Sequence, residues 1–309
     1  MPNLRFLQVD VFAERPGGGN PLGVVLGADA WSGGDMQRFA AWTNLVETTF
    51  VLAATHPEAS YRLRIFTPQK EIPFAGHPTI GSAHAILETA HVAAREGVLL
   101  QECGAGILPI RIEGAGVGRR LYVQAPAARI LREGRDDALD GVLGNLQLGR
   151  LQPAFVEGGR RWWLAELAAE SDLRAWQPDH AAIKSLAVAT DSLGLCVFAR
   201  ADTQRDAATT GNGVNPPYQL VVRAFPAGVG IVEDPASGAA NGLIAAYIAQ
   251  RDGNGALACG YRVSQGREIG HDATIDVRID DGAGEGRAVW VGGRSWTIID
   301  GVLKHSIAA

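Results

Sequence analysis

The chain has few cysteines: only Cys103, Cys196 and Cys259 among 309 residues. Their number is odd, they lie far apart, and none belongs to a C-x-x-C pair. The sequence therefore indicates neither a disulfide framework nor a zinc site.

Long basic runs and long apolar runs are also absent. The formal net charge is −5, and the strongest basic spot is the short pair Arg160-Arg161, which argues against nucleic acid and anionic membranes as partners. No stretch approaches the 18 apolar residues of a membrane span. Residues 4–12 are typical of a first strand and not of a signal peptide. We therefore expect a cytoplasmic protein.

Two loops in the chain share one pattern: a strand end, a tight polar turn and a helix start. Residues 74–83 and 232–240 align without a gap and pair Pro78 with Pro235, 157 positions further along. Each proline is predicted just inside a helix. A chain of this length is expected to form two domains, so the repeat predicts similar domains at residues 1–125 and 126–309. A final strand at about 295–303 could return to the first domain.

Apolar periodicity predicts the main elements of both halves. In the first half it predicts strands at residues 4–12, 21–26, 47–52, 61–66, 98–101, 107–112 and 121–124, with helices at 34–43 and 79–94. In the second half a helix is predicted at 236–250, among strands at 161–167, 193–199, 219–225, 274–279, 288–292 and 295–299. Two α+β halves, each a curled sheet around a helix, fit this pattern best.

The repeated loops are candidates for anion binding. A helix N-terminus offers unpaired backbone N–H groups and the positive end of a dipole, so two of them could hold a carboxylate. Each loop also carries a polar residue, His77 in the first and Asp234 in the second. The alternatives are that the loops are only tight turns, and that Asp234 is only a helix cap.

Glu47 is a second candidate, because it opens an otherwise apolar strand directly after a helix. A carboxylate at such a junction is expected to be partly buried. Burial raises the pKa of a carboxyl group towards neutrality, as a residue that takes and returns a proton requires. An exposed glutamate at a strand end is the alternative.

Six segments together resemble the PhzF-like family of phenazine-biosynthesis isomerases, and they occur in the family's order along nearly the whole chain. They are Asp10-Val11-Phe12, Gly19-Asn20-Pro21-Leu22, Asn44-Leu45-Val46-Glu47-Thr48-Thr49-Phe50, Phe66-Thr67-Pro68, Phe74-Ala75-Gly76-His77-Pro78-Thr79 and Glu233-Asp234-Pro235. The resemblance implies the α+β diaminopimelate-epimerase-like fold, with two pseudo-symmetric domains and the active site in the cleft between them.

The resemblance also implies roles for individual residues. In this family the glutamate that corresponds to Glu47 is the general acid/base of a proton shift that needs neither metal nor cofactor. His77 and Asp234 are then the other catalytic residues, and the family is commonly homodimeric. The implied substrate-binding residues are Asn20, Gly76, Ser237, Gly238 and Ala239.

Two departures from the family pattern bear on the substrate. Val46 stands where the family usually has serine, and Ser237-Gly238-Ala239 stands where it usually has Thr-Gly-Ser. Two hydroxyls are thereby lost from the implied pocket. A site built on hydrogen bonds discriminates against ligands that leave its groups unpaired, so these changes predict a different substrate. Near the C-terminus, Gln265-Gly266 fits the family pattern, whereas Gly270-His271-Asp272 stands where the family often has Gly-Arg-Pro.

The favoured function is a cofactor-independent isomerase that shifts a proton within a small carboxylate-bearing substrate, as in dihydro-hydroxyanthranilate isomerase-type chemistry. The alternative is a non-catalytic ligand-binding or protein-interaction module on the same fold. An amino-acid racemase is disfavoured. Residues 102–106 look like the Glu-Cys-Gly-x-Gly signature of two-cysteine racemases, but a strand pattern follows Cys103 where that signature needs a helix.

Overall fold

The computed structural model describes residues 4–202, 217–281 and 287–304. Within these residues the chain divides into two units. The first comprises residues 4–124 and 292–304, and the second comprises residues 125–202, 217–281 and 287–291. No helix in the described ranges is long and apolar enough to cross a membrane.

The first unit is a sheet with one helix on each face. Its helices are α1 (Gly33–Thr43) and α2 (Gly76–Glu88). Its strands are β1 (Leu4–Val11), β2 (Asn20–Leu26), β3 (Thr48–Leu52), β4 (Tyr61–Phe66), β5 (Glu71–Ile72), β6 (Val98–Cys103), β7 (Gly106–Glu113), β8 (Arg120–Gln124) and, from the end of the chain, β17 (Ser295–Leu303), which pairs antiparallel with β1.

Helix α2 is the central helix of this unit. It packs against β1, β2, β3, β8 and β17, and nine of its 13 residues are buried. Helix α1 covers part of the opposite face, where Phe39 meets Phe50 and Phe66 in an apolar cluster. The sheet is therefore curled around α2, because α2 is apolar on nearly all sides and must be enclosed.

The second unit contains four helices in the described residues. They are α3 (Asp137–Leu143), α4 (Glu170–Ala175), α5 (His180–Ala189) and α6 (Gly238–Arg251). Its strands are β9 (Arg129–Glu133), β10 (Ala154–Gly158), β11 (Arg160–Glu166), β12 (Gly194–Arg200), β13 (Leu220–Phe225), β14 (Gly260–Gln265), β15 (Ala273–Asp281) and β16 (Arg287–Gly293), whose last two residues belong to the first unit. Helix α6 is the central helix here and packs against β10 and β15.

Strand pairing shows that the two units share one plan. In the first, β1/β2 is antiparallel, β2/β3 parallel, β3/β4 antiparallel, β4/β6 parallel and β6/β7 antiparallel. In the second, β10/β11, β11/β12, β12/β13, β13/β14 and β14/β15 follow the same alternation. The predicted duplication and α+β class are therefore confirmed.

The repeated loops differ in where their helices start, and this corrects the sequence prediction. Pro78 lies in the first turn of α2, which begins at Gly76. Pro235, however, lies outside α6, which is capped by Ser237 and begins at Gly238. The prediction that each proline stands inside its helix is thus wrong for Pro235.

The predicted extent of α2, residues 79–94, is also wrong at both ends. The helix starts three residues earlier because Pro78 lacks only an N–H group that has no intrahelical acceptor in the first turn. It ends at Glu88, since Ala90 adopts a left-handed φ of 52°.

Candidate active site

Glu47 lies in the short connection between α1 and β3. The helix ends at Asn44, which takes the left-handed conformation, and the backbone carbonyl of Glu47 then accepts a 3.4 Å hydrogen bond from the N–H of Gly23 on β2. Its side chain is only 12% exposed. The predicted partial burial of this carboxylate is what the structure shows.

His77 is the second residue of α2 and faces Glu47. Its Nε2 lies 3.4 Å from Oε2 of Glu47, and its side chain is 7% exposed. Burial lowers the pKa of His77 from 6.5 to about 3, because removal from water disfavours the charged imidazolium. At neutral pH His77 is therefore a neutral imidazole beside a mostly buried carboxyl group.

A neutral imidazole can match either state of Glu47. If Nε2 carries the hydrogen, it can donate to an ionised carboxylate; in the other tautomer, bare Nε2 can accept from a protonated carboxyl group. A distance such as the 3.4 Å between Nε2 of His77 and Oε2 of Glu47 commonly shortens in an active site when substrate binds. His77 can thus face the Glu47 carboxyl group both before and after that group gains a proton.

The start of α2 is open to an anion. Its N-cap residue, Ala75, makes no side-chain capping hydrogen bond, and the first N–H groups of a helix have no intrahelical acceptor. Gly76 opens the helix and is half-buried. The amides at this end and the helix dipole favour a carboxylate.

Buried hydrogen bonds fix α2 to the sheet. Oγ of Ser82 lies 2.8 Å from Oγ1 of Thr49, two residues after Glu47. Gln101 on β6 donates to Oγ1 of Thr79 at 3.1 Å and accepts from the hydroxyl of Tyr61 at 2.9 Å. The Ser82–Thr49 pair ties the helix that carries His77 to the strand that follows Glu47, and the Gln101 bonds tie the same helix to β6.

Asn20 is the first residue of β2 and is completely buried. It lies three residues before Gly23, whose N–H donates to the backbone carbonyl of Glu47. The structure therefore places Asn20, Gly76, His77 and Glu47 in one unit, and it brings the last two into direct proximity.

Asp234 lies in the loop before α6. Its N–H donates to the carbonyl of Ala224 on β13 at 2.9 Å, and its Oδ1 accepts from the N–H of Ala236 at 3.2 Å. This second bond closes a side-chain turn two residues long. Asp234 is therefore not the helix cap that the sequence left open as an alternative, because Ser237 holds that position.

The three predicted binding residues after Asp234 have different surroundings. Oγ of Ser237 accepts from the N–H of Ala240 at 3.4 Å and so caps α6. Ser237 and Gly238 are buried, whereas Ala239 is exposed. A side chain at position 239 can thus be changed without disturbing the packing of the helix.

A buried ion pair holds the residue just before Asp234. Glu233 accepts two hydrogen bonds of 2.9 Å from Arg223 on β13, and the side chains of Arg223 and Glu233 are only 5% and 4% exposed. Arg223 also donates to the backbone carbonyls of Leu173 and Trp176. This guanidinium, bonded to both a carboxylate and the backbone, anchors the loop to the sheet.

Several buried polar residues support the two loops, and sequence reasoning assigned none of them this role. They are Tyr61, Thr79 and Gln101 in the first unit and Arg223, Asn241 and Gln265 in the second. One signal was available: in β6 the inward positions alternate, so Gln101 shares a face with buried Leu99. A glutamine on the buried face of a strand must find partners.

The racemase-like motif does not have a racemase context. Cys103 ends β6 and pairs with Gly106 in a hairpin with β7, as the strand pattern predicted. Within residues 4–202, 217–281 and 287–304, no three His, Cys, Asp or Glu side chains are grouped closely enough to hold a metal ion.

Comparison with known proteins places these features in a family. A sequence model of PhzC-PhzF, phenazine biosynthesis-like proteins, matches residues 9–301. The chain belongs to this phenazine biosynthesis-like family. The family resemblance of the six sequence segments is thereby confirmed.

Several known proteins match nearly the whole chain. Antisense-enhancing sequence 1 of Schizosaccharomyces pombe is 32% identical and covers 96% of this chain and 97% of its own. Trans-2,3-dihydro-3-hydroxyanthranilate isomerase of Pseudomonas chlororaphis is 31% identical, with coverage of 96% and 98%. The PhzF-family phenazine biosynthesis protein of Bacillus anthracis superposes with a TM-score of 0.80 at 23% identity, covering 99% and 100%, which shows a shared fold. Relatives named as isomerases support an isomerase role.

Proposed function

We propose that this protein is an isomerase that moves a proton within a small carboxylate-bearing substrate, with Glu47 as the acid/base. The observation that carries the proposal is the 3.4 Å approach of the Glu47 carboxyl group to neutral, buried His77. A mostly buried carboxyl group beside a neutral imidazole suits a proton carrier.

The proposed reaction consists of two proton transfers. The Glu47 carboxylate removes a proton from a carbon next to a double bond, and the electron pair spreads over the unsaturated system. The side chain of Glu47 is 12% exposed, so its acidic hydrogen exchanges with solvent. Glu47 then delivers a proton to another carbon on the same face. The sum is an isomerisation, so no oxidant, reductant or cofactor is consumed.

Other residues are assigned binding roles in this proposal. The open N-terminus of α2 at Gly76 binds the substrate carboxylate, and Asp234, oriented by the N–H of Ala236, positions a polar group of the substrate. Asn20, Ser237, Gly238 and Ala239 are further proposed contacts. We also propose, from the family resemblance, a cytoplasmic homodimer; light scattering after size-exclusion chromatography would test the dimer.

The test is turnover of trans-2,3-dihydro-3-hydroxyanthranilate, the compound in the name of a 31% identical relative. Glu47→Gln should lower kcat by about 10² to 10⁴-fold, the usual contribution of a general acid/base. Glu58→Gln is the matched control, because Glu58 is exposed in the same unit. A Glu47→Gln variant within tenfold of wild type would remove Glu47 from the mechanism. A wild-type protein that turns over neither this compound nor any of a panel of unsaturated carboxylates would refute the proposed activity.

A non-catalytic ligand-binding module is the second candidate. It would need only the amides at the start of α2, which can hold a carboxylate without any proton transfer. The two candidates differ in hydrogen exchange. A carboxylate that binds in D₂O and gains no deuterium at carbon supports the module, whereas exchange that is lost in Glu47→Gln supports the isomerase.

A further inference from the structure

We infer that Gln265 is a positioning residue that holds Asp234 and the start of α6 in one arrangement. The catalytic consequence of this inference rests on the proposed function of Asp234. Gln265 is the last residue of β14 and is completely buried. Its side-chain amide makes three hydrogen bonds, and every partner is in the loop or in the helix that follows it.

The donor half of the amide fixes Asp234 itself. Nε2 of Gln265 donates to the backbone carbonyl of Asp234 at 2.8 Å. The N–H of Asp234 is bonded at the same time to the carbonyl of Ala224. Both backbone polar groups of Asp234 are thus held, one by β13 and the other by β14, so the backbone from which its side chain projects is fixed.

The acceptor half of the amide fixes the start of the helix. Oε1 of Gln265 accepts from the N–H of Ser237 at 3.3 Å and from Nδ2 of Asn241 at 2.9 Å. Nδ2 of Asn241 also donates to the carbonyl of Ser237 at 2.9 Å. A neutral amide donates on one side and accepts on the other, and a carboxyl group of the same shape can do so only when it is protonated.

The turn after β14 is also built against this loop. Gly266 has a φ of +89°, and a Cβ at this position would come within 2.6 Å of the carbonyl oxygen of Pro235. Glycine is required here on both grounds. The Gln265-Gly266 pair therefore brings a strand end into close contact with the loop that carries Asp234.

The first unit uses the corresponding strand in a similar way. Gln101 is on β6, the counterpart of β14 in strand pairing, and it bonds to Thr79 in the first turns of α2. In the second unit, however, the glutamine holds the backbone of the proposed functional residue. This difference is why we assign the positioning role to Gln265.

The test compares Gln265→Glu and Gln265→Met with Thr190→Val. Thr190 makes part-buried hydrogen bonds to Leu186 and Trp163 elsewhere in the second unit, so its variant measures the general effect of such a loss. In both Gln265 variants, the backbone amide hydrogens of residues 234–240 should exchange with solvent deuterium faster than in wild type. In Thr190→Val their exchange rates should stay at the wild-type value. Unchanged exchange in this segment would overturn the inference.

Activity gives the second measurement. Displacement of Asp234 by about 1 Å should lower kcat by up to about 10²-fold, with a smaller change in KM. In Gln265→Glu the ratio of variant to wild-type kcat should rise as pH falls, because protonation of the substituted carboxyl group restores the donor. A ratio within threefold of one for both folded variants contradicts a positioning role. If wild type is inactive, the proposed function fails, and hydrogen exchange alone still decides whether Gln265 holds the loop.

Discussion

The buried imidazole of His77 should make the stability of the first unit depend on pH. Its pKa is lowered to about 3 by burial, from 6.5 in an exposed histidine. Between these values the unfolded chain binds a proton that the folded protein does not bind. As far as His77 determines it, the free energy of unfolding is therefore highest above pH 6.5 and decreases as pH falls towards 3.

The expected loss at pH 5.0 follows from the unfolded state. This pH lies about 1.5 units below the ordinary pKa of histidine, and each unit is worth about 1.36 kcal/mol. His77 should therefore cost about 2 kcal/mol of unfolding free energy between pH 7.5 and pH 5.0. Any folded pKa below about 4 gives nearly the same loss, because the folded histidine is then neutral throughout the range.

The assay is urea unfolding of wild type, His77→Gln and His91→Gln at both pH values. His91 is exposed in the same unit and serves as the matched control. His84 is also mostly buried, and burial is the main cause of its lowered pKa. Only the difference between wild type and His77→Gln therefore isolates the contribution of His77. We expect His77→Gln to lose about 2 kcal/mol less than wild type on acidification. Equal losses in all three proteins would show that His77 is not held neutral by burial.

Three further predictions concern the second unit and its loop. Glu233→Gln should destabilise the protein by about 3–5 kcal/mol, because it leaves the charge of Arg223 buried without its partner. Chemical unfolding measures this loss of unfolding free energy, and a loss below about 1 kcal/mol would contradict the prediction. Gly266→Ala should cost about 1–3 kcal/mol through its left-handed φ, whereas Gly301→Ala, with open space at the Cβ position, should change the unfolding midpoint little. Ala239→Ser should leave stability within about 0.5 kcal/mol, since Ala239 is exposed, and should raise kcat/KM on trans-2,3-dihydro-3-hydroxyanthranilate; an unchanged kcat/KM would argue against a role in specificity.

The sequence predicted the duplicated plan because local signals were consistent at the repeated positions. Apolar alternation located β1, β3, β4 and β13 to within two residues. The helix starts were harder, since Pro78 and Pro235 occupy equivalent positions in the repeat but only Pro78 is helical. What separates them is Ser237, a good cap that starts the second helix later.

Residues 126–159 and 168–190 were not predicted in detail. They contain β9, β10, α3, α4 and α5, which are short elements of the second unit. Helices of six to ten residues carry little periodic signal, and their stability comes from tertiary packing. Leu139, Leu173 and Ile183 bury their side chains in one core cluster, a long-range contact that no local pattern displays.

The sequence named candidate site residues but did not predict which residues support them. Glu47 and His77 were named from the family pattern, and the structure brings them together. Gln101 was not named, and Gln265 was noted only as fitting the family pattern, because a glutamine in a strand looks like an exposed residue until its partners are known. Hydrogen-bond partners such as Thr79 and Asn241 lie 22 and 24 residues away in sequence, beyond the reach of motif reasoning.

The central claim, that Glu47 carries the proton, is tested most directly by exchange of substrate carbon-bound hydrogen with D₂O. Proton NMR can follow this exchange under identical conditions for wild type, Glu47→Gln and Glu58→Gln. We predict exchange at the reacting carbons in wild type and Glu58→Gln, and a rate lower by about 10²-fold or more in Glu47→Gln. Exchange at the wild-type rate in Glu47→Gln would contradict the account.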